Sequence, residues 1–149
     1  MPAVTRSRAA VDHELVVRLR LAVMRLARRL RQETGEEITA SQLSALSSVS
    51  RLGPLTLGAL AAVERVRPPS MTRIVANLEA AGLVARRPDP ADRRIAHVEA
   101  TRAGLGLLAR SRTRKDAYLA ARLAALTPAE LAALGQAVAV LERLLDEPE

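Results

Sequence analysis

The chain has 149 residues and a formal net charge of +7, and 49% of its residues are hydrophobic although only 1% are aromatic. Its length suits one compact domain with its own core, and the absence of cysteine excludes disulfides and thiolate metal sites. No apolar run approaches the roughly 20 residues of a membrane span. We therefore expect one cytoplasmic domain, residues 1–149, that contacts no membrane and is mainly helical because Ala and Leu fill its interior.

The positive charge is almost entirely arginine, because Lys115 is the one lysine among 23 basic residues. A guanidinium group can contact phosphate or guanine in a bidentate manner, so this charge favours a polyanionic partner. A GC-rich genome explains the preference for Arg over Lys equally well, but it does not explain the sign. Residues 127–149 are acidic, which suits contact with protein better than contact with phosphate.

A long helix is predicted from residue 12 to residue 32, with apolar side chains on two faces. One face contains Leu15, Leu19, Ala22, Val23, Leu26 and Leu30, and the nearly opposite face contains Val17, Leu21 and Met24. A surface helix needs only one apolar face. We therefore expect this helix to lie between its own core and a partner.

Three shorter helices are predicted next. Thr39 or Ser41 can cap the second helix, which Gly53-Pro54 ends. Thr56 caps the third, which reaches about Glu64. Pro68-Pro69 then opens the fourth helix, and Gly82 ends it.

The fourth helix has one apolar face, made by Met71, Ile74, Val75 and Leu78. The other side carries Ser70, Thr72, Arg73 and Asn77. Arginine and asparagine can form bidentate contacts with guanine and adenine, while Ser70 and Thr72 near the helix start can meet phosphates or bases. This pattern favours a helix that reads DNA, and the alternative is an ordinary solvated face.

Two short strands, LVARR at 83–87 and IAHVEA at 95–100, are predicted to form a hairpin. Their connection, PDPADRR, ends in Arg93-Arg94. A basic hairpin tip is typical of a DNA-binding wing, although Asp and Pro are also ordinary components of a flexible turn.

Two long helices complete the chain. Thr101 caps the fifth, which extends to about Leu126, and TPAE at 127–130 forms a capping box for the sixth. Apolar residues recur on the sixth helix at spacings of three and four, at Leu131, Leu134, Val138, Leu141 and Leu145. Such a seam is typical of a coiled-coil-like contact, so we expect a homodimer.

The stretch from Leu55 to Gly104 resembles the core of the multiple-antibiotic-resistance regulator (MarR) family. The matching motifs are SMTRIVANLEAAGLV at 70–84, DPADRR at 89–94 and the T-x-x-G of Thr101 and Gly104. Helices before and after these motifs extend the resemblance over nearly the whole chain. Ala100 departs from the pattern, because the family usually has Leu before the Thr.

The resemblance implies a mainly α fold with a small β-hairpin wing. Residues 39–102 would form the winged helix-turn-helix DNA-binding region, and residues 12–32 and 103–146 the dimerisation helices from both ends of the chain. Leu15 and Leu19 on the first helix, with the seam of the sixth, would then contact the partner subunit.

The resemblance also implies how DNA is bound. Two lobes of a homodimer would straddle a pseudo-palindromic double-stranded operator, with the recognition helix in the major groove and the wing in the minor groove. Arg94 resembles the family's minor-groove arginine and Asp92 the acid that orients it, while Arg86 and Arg93 are candidate phosphate partners. The resemblance further implies that a small aromatic or anionic effector binds between the dimerisation and DNA-binding regions.

These features favour a transcriptional repressor that a small molecule releases from its operator. The alternative is a winged-helix protein that binds DNA without sequence preference or docks another protein. An enzyme is disfavoured, because the chain has no nucleophile elbow or glycine-rich phosphate loop. His13 and His97 are far apart in the sequence and have no cysteine beside them, so we expect no metal site and no cofactor.

Overall fold

The computed structural model describes residues 11–33, 35 and 38–146, and it confirms the mainly α fold with a small sheet. The elements in chain order are α1 (His13–Glu33), α2 (Ala40–Leu52), β1 (Leu55–Thr56), α3 (Leu57–Val63), α4 (Pro68–Ala80), β2 (Val84–Pro88), β3 (Ala96–Ala100), α5 (Arg102–Leu123) and α6 (Pro128–Asp146). No helix in these ranges has the length and apolar character needed to cross a membrane.

Local side-chain caps explain where several helices begin. Thr39, rather than Ser41, caps α2, because its Oγ1 accepts a hydrogen bond from the Gln42 backbone N–H at 3.2 Å. At α6 the predicted capping box is present. The Glu130 N–H donates to Thr127 Oγ1 at 3.3 Å, and the Thr127 N–H donates to Glu130 Oε2 at 2.8 Å.

The sheet has three strands in the order β1-β3-β2, one more than predicted. β1 pairs antiparallel with β3, so that Leu55 faces Val98 across the ladder. β2 pairs with the other edge of β3, with Arg86 opposite Val98. β1 could not be predicted, because two residues are too few to show the alternation of apolar and polar side chains that indicates a strand.

The prediction for the end of α5 was too long by three residues. The helix ends at Leu123, and tighter turns follow, in which the Leu126 N–H donates to the Leu123 carbonyl at 3.0 Å. Thr127 then caps the next helix. A short connection, residues 124–127, therefore separates α5 from α6.

The hydrophobic core lies within the winged helix-turn-helix lobe. Its largest fully buried side chains come from α2, α3, α4 and β3, and they are Leu46, Val49, Leu60, Met71, Val75, Leu78 and Val98. No residue of α1 or α6 is buried. The lobe thus has a core of its own, whereas the first and last helices contribute little to it.

The first helix does not show the predicted burial of one face against its own core. It packs mainly against α5, and Leu15 and Leu19 are 59% and 38% exposed. On α6, Leu134 and Leu145 are 41% and 85% exposed, and Leu141 is partly buried. Within one chain, the predicted contact faces of α1 and α6 are therefore both left uncovered.

Candidate nucleic-acid interface

The turn between α3 and α4 directs the candidate recognition helix. The Val66 N–H donates to the Ala61 carbonyl at 3.0 Å and the Arg65 N–H to the Ala62 carbonyl at 3.2 Å, which together form a Schellman motif. Arg65 occupies the position where glycine is favoured, with φ 52°. A left-handed conformation costs a residue with a side chain roughly 1–2 kcal/mol, so this turn is strained.

Helix α4 is anchored to the core along its predicted apolar face. Met71, Val75 and Leu78 are buried and Ile74 is partly buried. A second Schellman motif ends the helix, with Gly82 at φ 72° and the Leu83 N–H donating to the Leu78 carbonyl at 2.9 Å. This anchoring holds the opposite face of α4 in a fixed orientation.

The polar face of α4 is available as predicted, with one qualification at its start. Thr72, Arg73 and Asn77 are exposed, while Ser70 is partly buried and the Thr72 hydroxyl donates to the Pro68 carbonyl at 3.0 Å. Two prolines open the helix and lack N–H groups, so the helix start offers few backbone donors for a phosphate. Any contact of α4 with a nucleic acid would therefore depend mainly on its side chains.

The wing turn is organised by one aspartate. Asp89 Oδ1 accepts hydrogen bonds from the backbone N–H groups of Ala91 at 2.7 Å and Asp92 at 3.0 Å, and its Oδ2 lies 2.9 Å from His97 Nε2. The bond from the Asp92 backbone, followed by that from His97, lowers the pKa of Asp89. The turn is therefore ordered by the ionised carboxylate.

At the wing tip, Asp92 holds Arg94 in a bidentate contact. Arg94 Nε lies 3.0 Å from Asp92 Oδ1 and Nη2 lies 3.1 Å from Oδ2, and the Arg94 backbone N–H donates to the same carboxylate. The Arg94 side chain is nevertheless 90% exposed. Asp92 thus orients the guanidinium group without covering it.

The Arg94 contact also sets the charge of the pair. The Arg94 side-chain hydrogen bond lowers the pKa of Asp92, and the same bond raises the pKa of Arg94. A carboxyl group with a lowered folded-state pKa contributes its stabilisation above its ordinary pKa and loses it as the pH falls through the lowered value. Both partners are therefore charged at neutral pH.

The remaining wing arginines differ in their surroundings. Arg86 Nε lies 3.2 Å from Glu79 Oε2 near the end of α4, which connects β2 to α4. Arg87, which the sequence analysis did not select, pairs with Glu99 on β3. Arg93 is exposed at the tip. The Arg86–Glu79 pair thus connects the two groups of predicted DNA-binding residues.

A cavity of about 600 Å³ lies between α1, α2 and α5. Among the residues that the structure describes, its lining includes four basic side chains and no Asp, Glu or aromatic side chain. The basic residues are Arg31, Arg51, Arg112 and Lys115, and serine hydroxyls from α2 and α5 also face the cavity. This lining has the chemistry to hold an anion beside the winged helix-turn-helix lobe.

Glu64 was missed by the sequence analysis, although it joins this cavity to the turn before α4. Ser44 Oγ donates to Glu64 Oε2 at 2.6 Å, and Ser48 Oγ donates to Oε1 of the same carboxylate. Both serines line the cavity, one turn apart on α2, and Glu64 is the C-cap residue of α3. The two hydrogen bonds join residues that are 20 and 16 positions apart in the sequence, so no local sequence pattern predicts them.

Comparison with known sequences places this architecture among regulators. A MarR family model matches residues 38–96. An uncharacterised HTH-type transcriptional regulator of Mycobacterium bovis is 43% identical over 137 residues, which cover 91% of this chain and 96% of that protein. A regulator of the same description from Mycobacterium leprae is 42% identical over the same coverage.

Solved structures agree with these sequence matches. A Pseudomonas aeruginosa protein, assigned as a transcriptional regulator, superposes with a TM-score of 0.83 at 33% identity and covers 91% of this chain and 96% of its own. A variant of MepR from Staphylococcus aureus, bound to an oligodeoxyribonucleotide, superposes with a TM-score of 0.70. It covers 89% of this chain and 98% of its own, and at 18% identity it shows a shared fold alone.

Proposed function

The chain belongs to the MarR family of transcriptional regulators, and we propose that it is a homodimeric repressor that a small anionic effector releases from its operator. In this proposal each α4 enters the major groove of a pseudo-palindromic duplex, and each wing enters the adjacent minor groove. Ser70, Thr72, Arg73 and Asn77 face the major groove, with Arg94 in the minor groove and Arg86 and Arg93 beside phosphates.

The observation that carries the proposal is the contrast between the two sides of α4 and the geometry of the wing tip. Three buried apolar residues anchor α4, while Arg73 and Asn77 remain exposed. Arg94 is 90% exposed yet held by Asp92. A narrow minor groove concentrates negative potential and attracts an arginine presented in this way.

Dimerisation is supported by the apolar surface that one chain leaves uncovered. Exposed large apolar residues are concentrated on α1 and α6, among them Leu15, Leu19, Val138 and Leu145. A small monomer rarely exposes so much contiguous apolar surface. A two-fold interface between these helices would cover it and would present two recognition helices to the two halves of a palindrome.

The cavity supports an anionic effector over an aromatic one. Arg51 and Arg112 bring positive charge to it, and no aromatic side chain in its lining is available for stacking. A carboxylate or phosphate would be held by charge-assisted hydrogen bonds from guanidinium and hydroxyl groups. Because the cavity adjoins both α2 of the DNA-binding lobe and α1 and α5 outside it, a bound anion could influence how the lobes are placed.

The first prediction separates the roles of α4 and the wing. Arg73→Ala or Asn77→Ala should lower affinity for matched duplexes by about 1–3 kcal/mol per lost bidentate contact and change binding to mismatched duplexes much less. Arg94→Ala should weaken binding to many sequences and reduce the slope of log affinity against log salt by about one unit per subunit. Fluorescence anisotropy with matched and scrambled duplexes, at several salt concentrations, measures both effects.

The control for lost charge is Arg143→Ala, since Arg143 lies on α6 on the side away from the leucine seam. Its affinity and salt slope should match those of the unaltered protein. If Arg94→Ala instead leaves both quantities unchanged in a folded dimer, the wing does not contact DNA. Equal binding of the unaltered protein to all duplexes would favour the architectural alternative.

A further inference from the structure

We infer that Ser44, Ser48 and Glu64 form a switch by which an anion in the interhelical cavity weakens the placement of α4. The inference rests on the proposed function, because it concerns how that function is regulated. It assigns Glu64 as a positioning residue, which acts on DNA binding only through the turn that precedes the recognition helix.

Ser44 lies at the boundary between two pockets, and Ser48 lines the larger of them. Both serine side chains line the cavity of about 600 Å³, whose cations include Arg51 and Arg112. On the other side of Ser44 lies a smaller pocket of about 260 Å³ that includes Glu64, Met71 and Ile74. An anion in the larger cavity would therefore meet hydroxyl groups that already donate to Glu64.

A serine hydroxyl has one proton and can donate only one hydrogen bond at a time. Ser44 donates its proton to Glu64 Oε2 at 2.6 Å, and Ser48 donates to Oε1. Basic side chains would draw an anion into the cavity, where it would compete for these two protons. The Glu64 carboxylate would then lose both serine donors and would face a second negative charge nearby.

Glu64 is in a position to transmit this loss. It is the C-cap residue of α3, and its carboxylate fastens the end of that helix to α2. The next residue, Arg65, is held at φ 52°, a conformation that is unfavourable for a residue with a side chain. Release of Glu64 would allow the strained turn to relax.

The start of α4 has no side-chain cap, although its first turn is anchored to the core by Met71. Its N-cap residue, Arg67, makes no capping hydrogen bond through its side chain, and Pro68 and Pro69 follow. A change in the turn would therefore reach Arg73 and Asn77 through the first residues of α4. DNA affinity would differ between the strained and the relaxed arrangement of the turn. An anion that binds the relaxed arrangement more tightly would therefore lower DNA affinity.

The test compares the unaltered dimer with Ser44→Ala/Ser48→Ala on a duplex recovered by selection from genomic DNA. Phosphate, hexanoate or benzoate replaces chloride at constant ionic strength, and operator affinity is measured by anisotropy. We expect at least one of these anions to weaken binding by the unaltered protein by about 5- to 150-fold, the usual range of allosteric coupling. The double variant should bind more weakly in chloride and should respond less than about twofold to the same anion.

Ser50→Ala is the matched control, since Ser50 is exposed on α2 and is outside the lining of the cavity. It should retain the full anion response. A merely structural role for the serines would lower affinity in chloride but leave the anion response intact, and that result would overturn the inference. It would also be overturned if the unaltered protein bound its duplex specifically but responded to none of the three anions.

The measurements in different anions also identify where the anion acts to weaken DNA binding. Phosphate can compete directly with the DNA backbone on α4 and the wing, and that competition would persist in the double variant. Loss of the response in the double variant therefore locates the anion at the serines. Absence of any sequence-specific binding in chloride would instead contradict the proposed function, so the two failures are distinguishable.

Discussion

Replacement of Leu134 by arginine should dissociate the proposed homodimer and lower operator affinity by about 100-fold or more. Leu134 is 41% exposed in a single chain and lies on the same face of α6 as Val138 and Leu145. A charge placed there would be buried without a partner in the dimer, but would remain solvated in the monomer. Operator affinity falls because a monomer binds one half-site and loses the gain from simultaneous binding of two.

Sedimentation velocity at micromolar concentration and anisotropy with the selected duplex measure these two effects. Gln136→Arg is the control, because Gln136 lies on the opposite side of α6 and should tolerate the same charge. Circular dichroism verifies that the lobe remains folded, as expected from a core to which α6 contributes no buried residue. A Leu134→Arg protein that stays dimeric would show that the seam does not form the interface.

Gly104→Ala should destabilise the lobe by on the order of 3 kcal/mol, at the upper end of overpacking costs. A Cβ atom at this position would lie 2.1 Å from the Leu83 carbonyl oxygen and 3.0 Å from Leu46 Cδ1. The Leu83 carbonyl cannot easily move, because it accepts a hydrogen bond from the Thr101 N–H at 3.1 Å. The added Cβ would therefore clash with the Leu83 backbone, which lies between α4 and β2 at the base of the wing.

Gly106→Ala, two residues later in α5, provides the matched comparison. Its added Cβ would lie 3.2 Å from Arg110 Nη1, and that flexible side chain can move. The exchange should be neutral or stabilise the protein by up to about 1 kcal/mol, because alanine favours a helix. Urea unfolding at a fixed protein concentration measures both variants, and equal stabilities would show that α5 does not approach Leu83 this closely.

Features that depend on nearby residues could be predicted from the sequence. The capping box at Thr127 and Glu130 follows from residues three positions apart, whereas the cap of α2 was predicted only as Thr39 or Ser41. The two faces of α4 follow from helical periodicity, and the structure places Met71 and Val75 inside as predicted. These signals suffice for the helices and for the candidate DNA-binding residues of α4.

Features that depend on distant residues or on a partner could not be predicted. The pairing of Glu64 with Ser48 and that of Arg86 with Glu79 require the folded arrangement of separate elements. Arg65 occupies a position where the sequence gives no glycine to signal a left-handed turn. The surroundings of α1 were predicted least well, because none of its residues is buried within the single chain.

The central claim, sequence-specific binding by a two-fold dimer, is tested most directly by selection of bound duplexes from fragmented genomic DNA. The best duplex is then competed against a scrambled version of itself. We predict two inverted half-sites whose centres are one helical turn apart, about 10–10.5 base pairs, or a multiple of it. The selected duplex should bind about 10³-fold or more tightly than the scrambled one. Recovery of unrelated sequences that bind no better than scrambled DNA would contradict the account.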